Sequence, residues 1–461
     1  MESNYQGAET PIVRVFEGAH KRRAKWVRAF LQGCKFISRI YKRAGYKLSW
    51  MTVQAFMKVD QGRIPEFLRA RPEVPGHTEI FLRDAMSLTE NIGEDLEHLI
   101  SALDWLVRSQ QVTGTGGFAA GYSFQDGWLP PYPETTGYII PTLWDAYARL
   151  SNEQYHDAAI KAADWEIDIQ MDNGAVQAGY WGVDPQGFWK DDRIPASFNT
   201  GQVMQGWNRT FIETREKKYL DASCHAAEYL LRYIDEEGIF QEGLSPGPTN
   251  FIRSYYTRAA HALAWTGQLA EKDSYLASAK RHLDWVLTCQ HKNGWFENAN
   301  FLLNKPPLTH TMAYTAEGLF DAGVLLKDDR YAAASFHHAD QAMHACERRG
   351  LFLPATLDSK WKSMEKFSCL PGNAQFAGLW LRHGMRVEDL CLINAGLKMV
   401  DWLKGIQSLD NPNDGIRDGI GGSWPIDGGY SIFRHLSWAA KYFIDAVMLS
   451  MDAKEGLKTG V

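Results

Sequence analysis

The side chains best suited to chemistry stand together in Asp126–Tyr138, DGWLPPYPETTGY, where Tyr132, Glu134 and Tyr138 flank the start of a helical pattern. Pro130, Pro131 and Pro133 fix the approach of the chain. A helix start offers free N–H groups and the positive end of a dipole, both favourable to an anionic group. Glu134 with Thr135 and Thr136 would also serve as a plain cap. A cap has no need of Trp128 and Tyr132 beside it, and Asp126 adds a further carboxylate, so the stretch reads as a site.

Polar groups recur at the same place in later segments. They are Asn199, Thr200 and Gln202; then Arg253, Tyr255, Tyr256 and Arg258; then His310 between Thr309 and Thr311, with Tyr314 and Glu317 further in. Asn373 and Gln375 follow, and finally Ser423, Trp424, Asp427, Tyr430 and Arg434. The aromatic residues Trp128, Trp181 and Trp424, with Tyr180, lie in loops, where flat faces suit ring-shaped ligands such as sugars. His337, His338 and His344 fall on an outer helix and are set aside.

These residues can meet only if the chain brings them together, and a repeat supplies the means. The pattern W-x4-Q-x3-G appears at Trp105/Gln110/Gly114, Trp165/Gln170/Gly174 and Trp285/Gln290/Gly294, shortened at Trp402/Gln407 and weakened at Tyr229/Gly238 and Gln341/Gly350. Its anchors recur about every sixty residues, the mark of one supersecondary unit stacked repeatedly. Each unit reads as a helix closed by the motif glycine, a loop, and a second helix that is apolar or small nearly all round, hence buried. An open solenoid needs polar end caps. Here the first and last copies match the motif well, so the sixth hairpin is expected to pack on the first. The inner helices would then line one hollow, with their N-terminal ends and preceding loops crowding one face.

Residues 95–461 make up this ring, residues 51–94 read as a linker wrapping onto it, and residues 1–50 as a separate extension. Between residues 11 and 50 stand eleven Lys/Arg and one acid, interleaved with apolar residues, in a chain of net charge −6. A basic amphipathic helix of this kind suits the anionic inner leaflet of a membrane; packing on the ring's flank is the alternative. The acidic body argues against nucleic acid. The six cysteines are scattered without C-x2-C spacing, so thiolate metal binding is not expected. No signal peptide or membrane-spanning run is visible, and the expected location is cytoplasmic, peripheral on the inner membrane. Phosphate-loop, dinucleotide, nucleophile-elbow and zinc-protease motifs are absent from the text.

Six aromatic-rich hairpins with functional loops at one end resemble the all-α (α/α)6 toroid enzymes acting on polysaccharides. Within that group the stretches PYPETTGY, LTHTMAYTAEGL and GGSWPIDGGYSIFRHLSWAAKYFIDAVM are most similar to the helical domain of D-glucuronyl C5-epimerases. The β-rich domain of the animal epimerases has no counterpart in the text. The motif is also similar to the QW repeats of triterpene cyclases, whose D-x-D-D proton donor is missing. The epimerase resemblance implies proton abstraction at C5 of a uronic acid residue in a polysaccharide or lipid-linked glycan, and proton return to the opposite face. It implies no metal and no organic cofactor. Tyr132, Glu134, Tyr138, His310, Tyr314 and Tyr430 are then the acid/base candidates, Arg253, Arg258 and Arg434 the carboxylate partners, and Trp128, Trp181 and Trp424 the stacking platforms. A glycoside hydrolase would pair Glu134 with Asp126, Glu317 or Asp427. A β-eliminating lyase shares the epimerase's first half-reaction, and a non-catalytic glycan-binding ring stands as the reading outside enzymes.

Overall fold

The computed structural model describes residues 64–85, 87, 89, 92–182, 193–240, 252–302, 304–350 and 352–459. The basic stretch 11–50 lies outside the described residues. The chain divides into two compact units, Met1–Leu68 and Arg69–Val461. In the first, the described residues are the opening of a short helix, α1 (Ile64–Arg69).

In the second unit the motif explains the architecture. Six outer helices carry it: α3 (Asp95–Gln111), α5 (Glu153–Ile169), α7 (Lys217–Leu231), α9 (Asp273–Thr288), α11 (Asp329–Arg349) and α13 (Leu390–Lys404). Each is followed by a long loop and then an inner helix: α4 (Pro133–Leu150), α6 (Ser197–Thr214), α8 (Thr257–Leu269), α10 (Thr309–Leu326), α12 (Leu370–Val387) and α14 (Ser437–Thr459). The motif glutamine ties neighbours together. Gln110 Nε2 donates to its own loop at Gly116 O and to Ala158 O on the next outer helix, and Gln170 does the same to Gly174 O and Ala222 O. Gln290 reaches Ala334 O. The motif glycines adopt left-handed φ, yet only Gly350 directly caps its helix; Gly114, Gly174, Gly238 and Gly294 sit in the turn beyond. Their bareness has a packing reason as well. A Cβ on Gly174 or Gly238 would lie 2.2 or 2.4 Å from a carbonyl oxygen of the following outer helix.

The same tie closes the ring. Gln407, in the sixth repeat, accepts from His98 Nδ1 of α3 at 2.6 Å and donates to Asp418 O at 2.7 Å. Trp105 Nε1 of α3 donates to Gly415 O of the sixth loop. Lys404 Nζ of α13 meets Asp95 of α3 at 2.6 Å, and Thr142 of α4 bonds Asp445 of α14. The inner helices pack in sequence order, α4 on α6 through to α12 on α14, and α14 returns against both α3 and α4. Glycines permit their close approach: a Cβ on Gly137 would be 2.4 Å from Val203 Cα, and one on Gly201 2.5 Å from Ala259 Cα.

Because short turns join each inner helix to the next outer one, all six inner helices run the same way. Their N-termini and the long loops share one mouth. Two small sheets brace the loops there. β1 (Gly121–Ser123) pairs antiparallel with both β2 (Gly127–Trp128) and β5 (Arg434–Leu436), and β3 (Ser368–Cys369) pairs with β4 (Ser423–Trp424). The segment from Arg69 belongs to this unit: in α2 (His77–Ala85), His77 stacks on Phe124 at 4.3 Å and Asp84 accepts from Ile426 N.

Candidate active site

Three tiers of residues follow from the shared direction of the inner helices, each contributed by the same position of successive helices. The second residues, at the mouth, are Glu134, Phe198, His310, Pro371 and Trp438. One turn deeper, the sixth residues are Tyr138, Gln202, Tyr314, Gln375 and Tyr442, with Arg258 of α8 at their level. A turn below stand Gln205, Glu317 and Asp445.

At the mouth, Tyr132 precedes Pro133, the first residue of α4, and the Thr136 hydroxyl accepts from Phe118 N to hold the preceding loop. Tyr132 Oη donates to Glu134 Oε2 at 2.5 Å, and its ring meets Tyr180 and Trp438 edge-on at 5.5 and 6.3 Å. Burial raises the Glu134 carboxyl to about 7, against the opposing pull of the Tyr132 hydrogen bond and the Arg258 charge. Burial also holds the phenols of Tyr132, Tyr255 and Tyr430 well above 10, with the Glu134 charge adding to the effect in each. Tyr430 accepts from Trp438 Nε1 at 2.9 Å, and its ring lies 6.1 Å from that of His310.

The deeper tier is a polar partition. Arg258 donates through Nε to Gln202 Oε1 (3.0 Å), through one terminal nitrogen to Glu317 Oε2 (2.8 Å) and through the other to Gln205 Oε1 (3.1 Å). Two of its five N–H groups remain for another acceptor. Gln375 Nε2 donates to the same Glu317 oxygen, which leaves Gln375 Oε1 as an acceptor. His310 Nδ1 is 2.5 Å from that Oε1 and must carry the proton, so Nε2 keeps its lone pair. Burial lowers His310 to about 4, and the ring is neutral at pH 7. The rings of Tyr138, Tyr314 and Tyr442 cluster around Arg258 and His310, with His310 and Tyr314 4.3 Å apart.

All six acid/base candidates therefore stand in one connected cluster, together with Gln202, Tyr255, Arg258, Glu317 and Gln375. Arg253 and Arg434 lie nearby; their charges act on Tyr255 and Tyr180 respectively. Trp181 stands at the rim of the second repeat, with Arg193 5.3 Å over its face.

Other expected ligand contacts are engaged elsewhere. Asn373 spends its amide on Leu353 N and O, Ser368 and Cys369, fixing the fifth loop. Asn199 donates to Gln177 O, and Asp126 accepts from Ser123 in an exposed turn. Trp128 packs on Trp105 and Tyr122, and Trp424 is buried between Trp402 and Phe352. Tyr256 is fully buried against Phe198 and Phe240, while Asp427 neighbours Asp84. Trp438, Tyr442 and Gln205 belong to the same cluster and were not expected there. The one grouping of carboxylates and imidazole with metal-like spacing among the described residues, Glu153, His156 and Asp157, is on the surface at the start of α5.

The architecture is that of the (α/α)6 toroids. No protein-family model matches the chain, and no curated protein matches it in sequence. Among solved structures it is similar to an unsaturated glucuronyl hydrolase specific for heparin, with TM-score 0.60 and 16% identity over 78% of this chain and 99% of that one. It is similar to the unsaturated glucuronyl hydrolase of Bacillus sp. GL1 (TM-score 0.57, 15% identity, 80% and 98% covered). It is also similar to cellobiose 2-epimerase from Bacillus thermoamylovorans B4167 (TM-score 0.56, 11% identity, 80% and 98% covered). At these identities the likeness is one of fold.

Proposed function

We propose that the loop-side mouth is the active site of a carbohydrate-modifying enzyme that epimerises uronic acid residues of a glycan at C5. The observation that carries this reading is the Tyr132–Glu134 pair: a carboxyl raised to about 7 and held at 2.5 Å by a phenol, facing further phenols and a neutral imidazole. Glu134 as carboxylate takes the C5 proton, and the electron pair of the broken C–H bond passes into the sugar carboxylate as an enediolate. The remaining N–H groups of Arg258 are suited to that growing charge. A phenol across the ring, Tyr430 or Tyr314, returns a proton to the opposite face of C5. Exchange with water then restores the phenol and the Glu134 carboxylate.

Glycoside hydrolysis is the second reading, favoured by the fold shared with the unsaturated glucuronyl hydrolases. It calls for two carboxylates working across one bond. Glu317 is taken up by Arg258 and Gln375, while Asp126 and Asp427 are engaged in loops, so proton transfer at carbon fits these residues better. Incubation with candidate uronate polymers separates the readings. An altered C5 configuration in an intact chain is expected; new reducing ends would select hydrolysis, and unsaturated uronate absorbance would select elimination. We further propose that residues 11–50 bring the enzyme to an anionic cytoplasmic membrane surface where the glycan is assembled.

A further inference from the structure

The C-terminal halves of the inner helices line an open cavity of about 960 Å³ at the end of the ring opposite Glu134. The partition formed by Gln205, Arg258 and Glu317 is its floor. Its volume is in the range of small-molecule sites, roughly 300–1,000 Å³.

Two observations point to a ligand. His261 of α8 lines this cavity, is nine-tenths buried, and its ring makes no hydrogen bond to the described residues; that ring stacks on the half-buried Trp265 at 5.8 Å and 28°. The charges around it are already matched. Arg382 pairs with Asp321, Lys441 with Asp445, Arg149 with Asp452, and Arg258 with Glu317. An ion entering here would meet no unpaired counter-charge. A neutral polyhydroxyl compound needs none, because paired carboxylates keep free lone pairs and guanidinium groups keep free N–H donors. An aromatic face beside neutralised polar pairs offers both halves of sugar recognition, an apolar ring face and hydroxyl partners.

We propose that this helix-C-terminal chamber binds a neutral sugar of one or two rings, stacked on Trp265 and hydrogen-bonded to His261, at a site separate from the Glu134 mouth. Calorimetry and histidine-resolved NMR of the full chain, with cellobiose, maltose and glucuronate as probes, test it. A neutral disaccharide should bind saturably and shift the His261 ring signals. Trp265→Ala should weaken that binding at least tenfold, and Glu134→Gln should leave it unchanged. Absence of saturable binding by either disaccharide would overturn the proposal. So would binding lost in Glu134→Gln but kept in Trp265→Ala, or tighter Trp265-dependent binding of glucuronate. Should Trp265→Ala not fold, Val324→Trp, at an exposed position lining the chamber, plugs it instead; disaccharide binding that survives the plug equally overturns the site. None of these outcomes bears on whether the Glu134 mouth is an epimerase.

Discussion

At the scale of single residues, Glu134 carries the most consequence. Its ordinary carboxyl value of 4.5 rises to about 7 in the fold, because burial outweighs the Tyr132 hydrogen bond and the Arg258 charge. A base with that value makes the rate climb tenfold per pH unit below about 7 and level off above it. Tyr132→Phe removes a hydrogen bond that lowers the Glu134 value, so the acid limb should move to higher pH; a pH–rate profile of the two proteins checks this. Glu134→Gln should cost about a hundred- to ten-thousandfold in turnover. The same shift acts on stability with a definite sign. The folded chain holds this proton more tightly than the unfolded chain between pH 4.5 and about 7, so the Glu134 contribution is fully present below that window and is lost as pH rises through it. Glu134→Gln abolishes that loss. Its melting temperature should therefore gain on the parent protein as pH goes from 5 to 8, in paired thermal scans.

At the scale of elements, the repeat and its closure were legible in the text because tryptophan, glutamine and glycine each have a job between neighbouring hairpins. Gln407 shows this most sharply, since its partner His98 is over three hundred residues away in sequence. Replacing it with leucine leaves the buried His98 Nδ1 and the part-buried Asp418 O unpaired, at a cost of about 2–4 kcal/mol in chemical denaturation. Gln170→Leu, at a part-buried site within continuous chain, should cost less. The candidate site was legible where the helix starts were. PETTGY and THTMAY both place an acid/base candidate second and tyrosine sixth in an inner helix, and Glu134, Tyr138, His310 and Tyr314 followed from them. SWAAKY has the same form and holds Trp438 and Tyr442. It was hidden because the apolar pattern runs back to Ser431, whereas Arg434–Leu436 is strand β5 and α14 begins at Ser437. Trp128, Trp424 and Asn373 drew attention by residue type, but whether a loop aromatic or amide faces a ligand or its own loop depends on tertiary packing that periodicity does not encode.

At the scale of the whole molecule, one ring presents two chemically distinct mouths divided by the Arg258–Glu317 layer. Glu134 and its phenols stand on the loop side; Trp265 and His261 stand on the other. Among the described residues no helix is long and apolar enough to cross a membrane. If residues 11–50 attach the protein to an anionic surface, the full chain should sediment with vesicles containing phosphatidylserine and be released as salt rises, while a chain lacking residues 1–50 should stay in the supernatant. Equal sedimentation of both chains would remove that role. The most direct test of the active-site assignment is proton NMR of a uronate polymer treated in D2O with the parent protein and with Glu134→Gln. Deuterium should enter C5 of an uncleaved chain with the parent and not with the variant. Deuterium entering equally with both, or chain cleavage with no deuterium at C5, would contradict it.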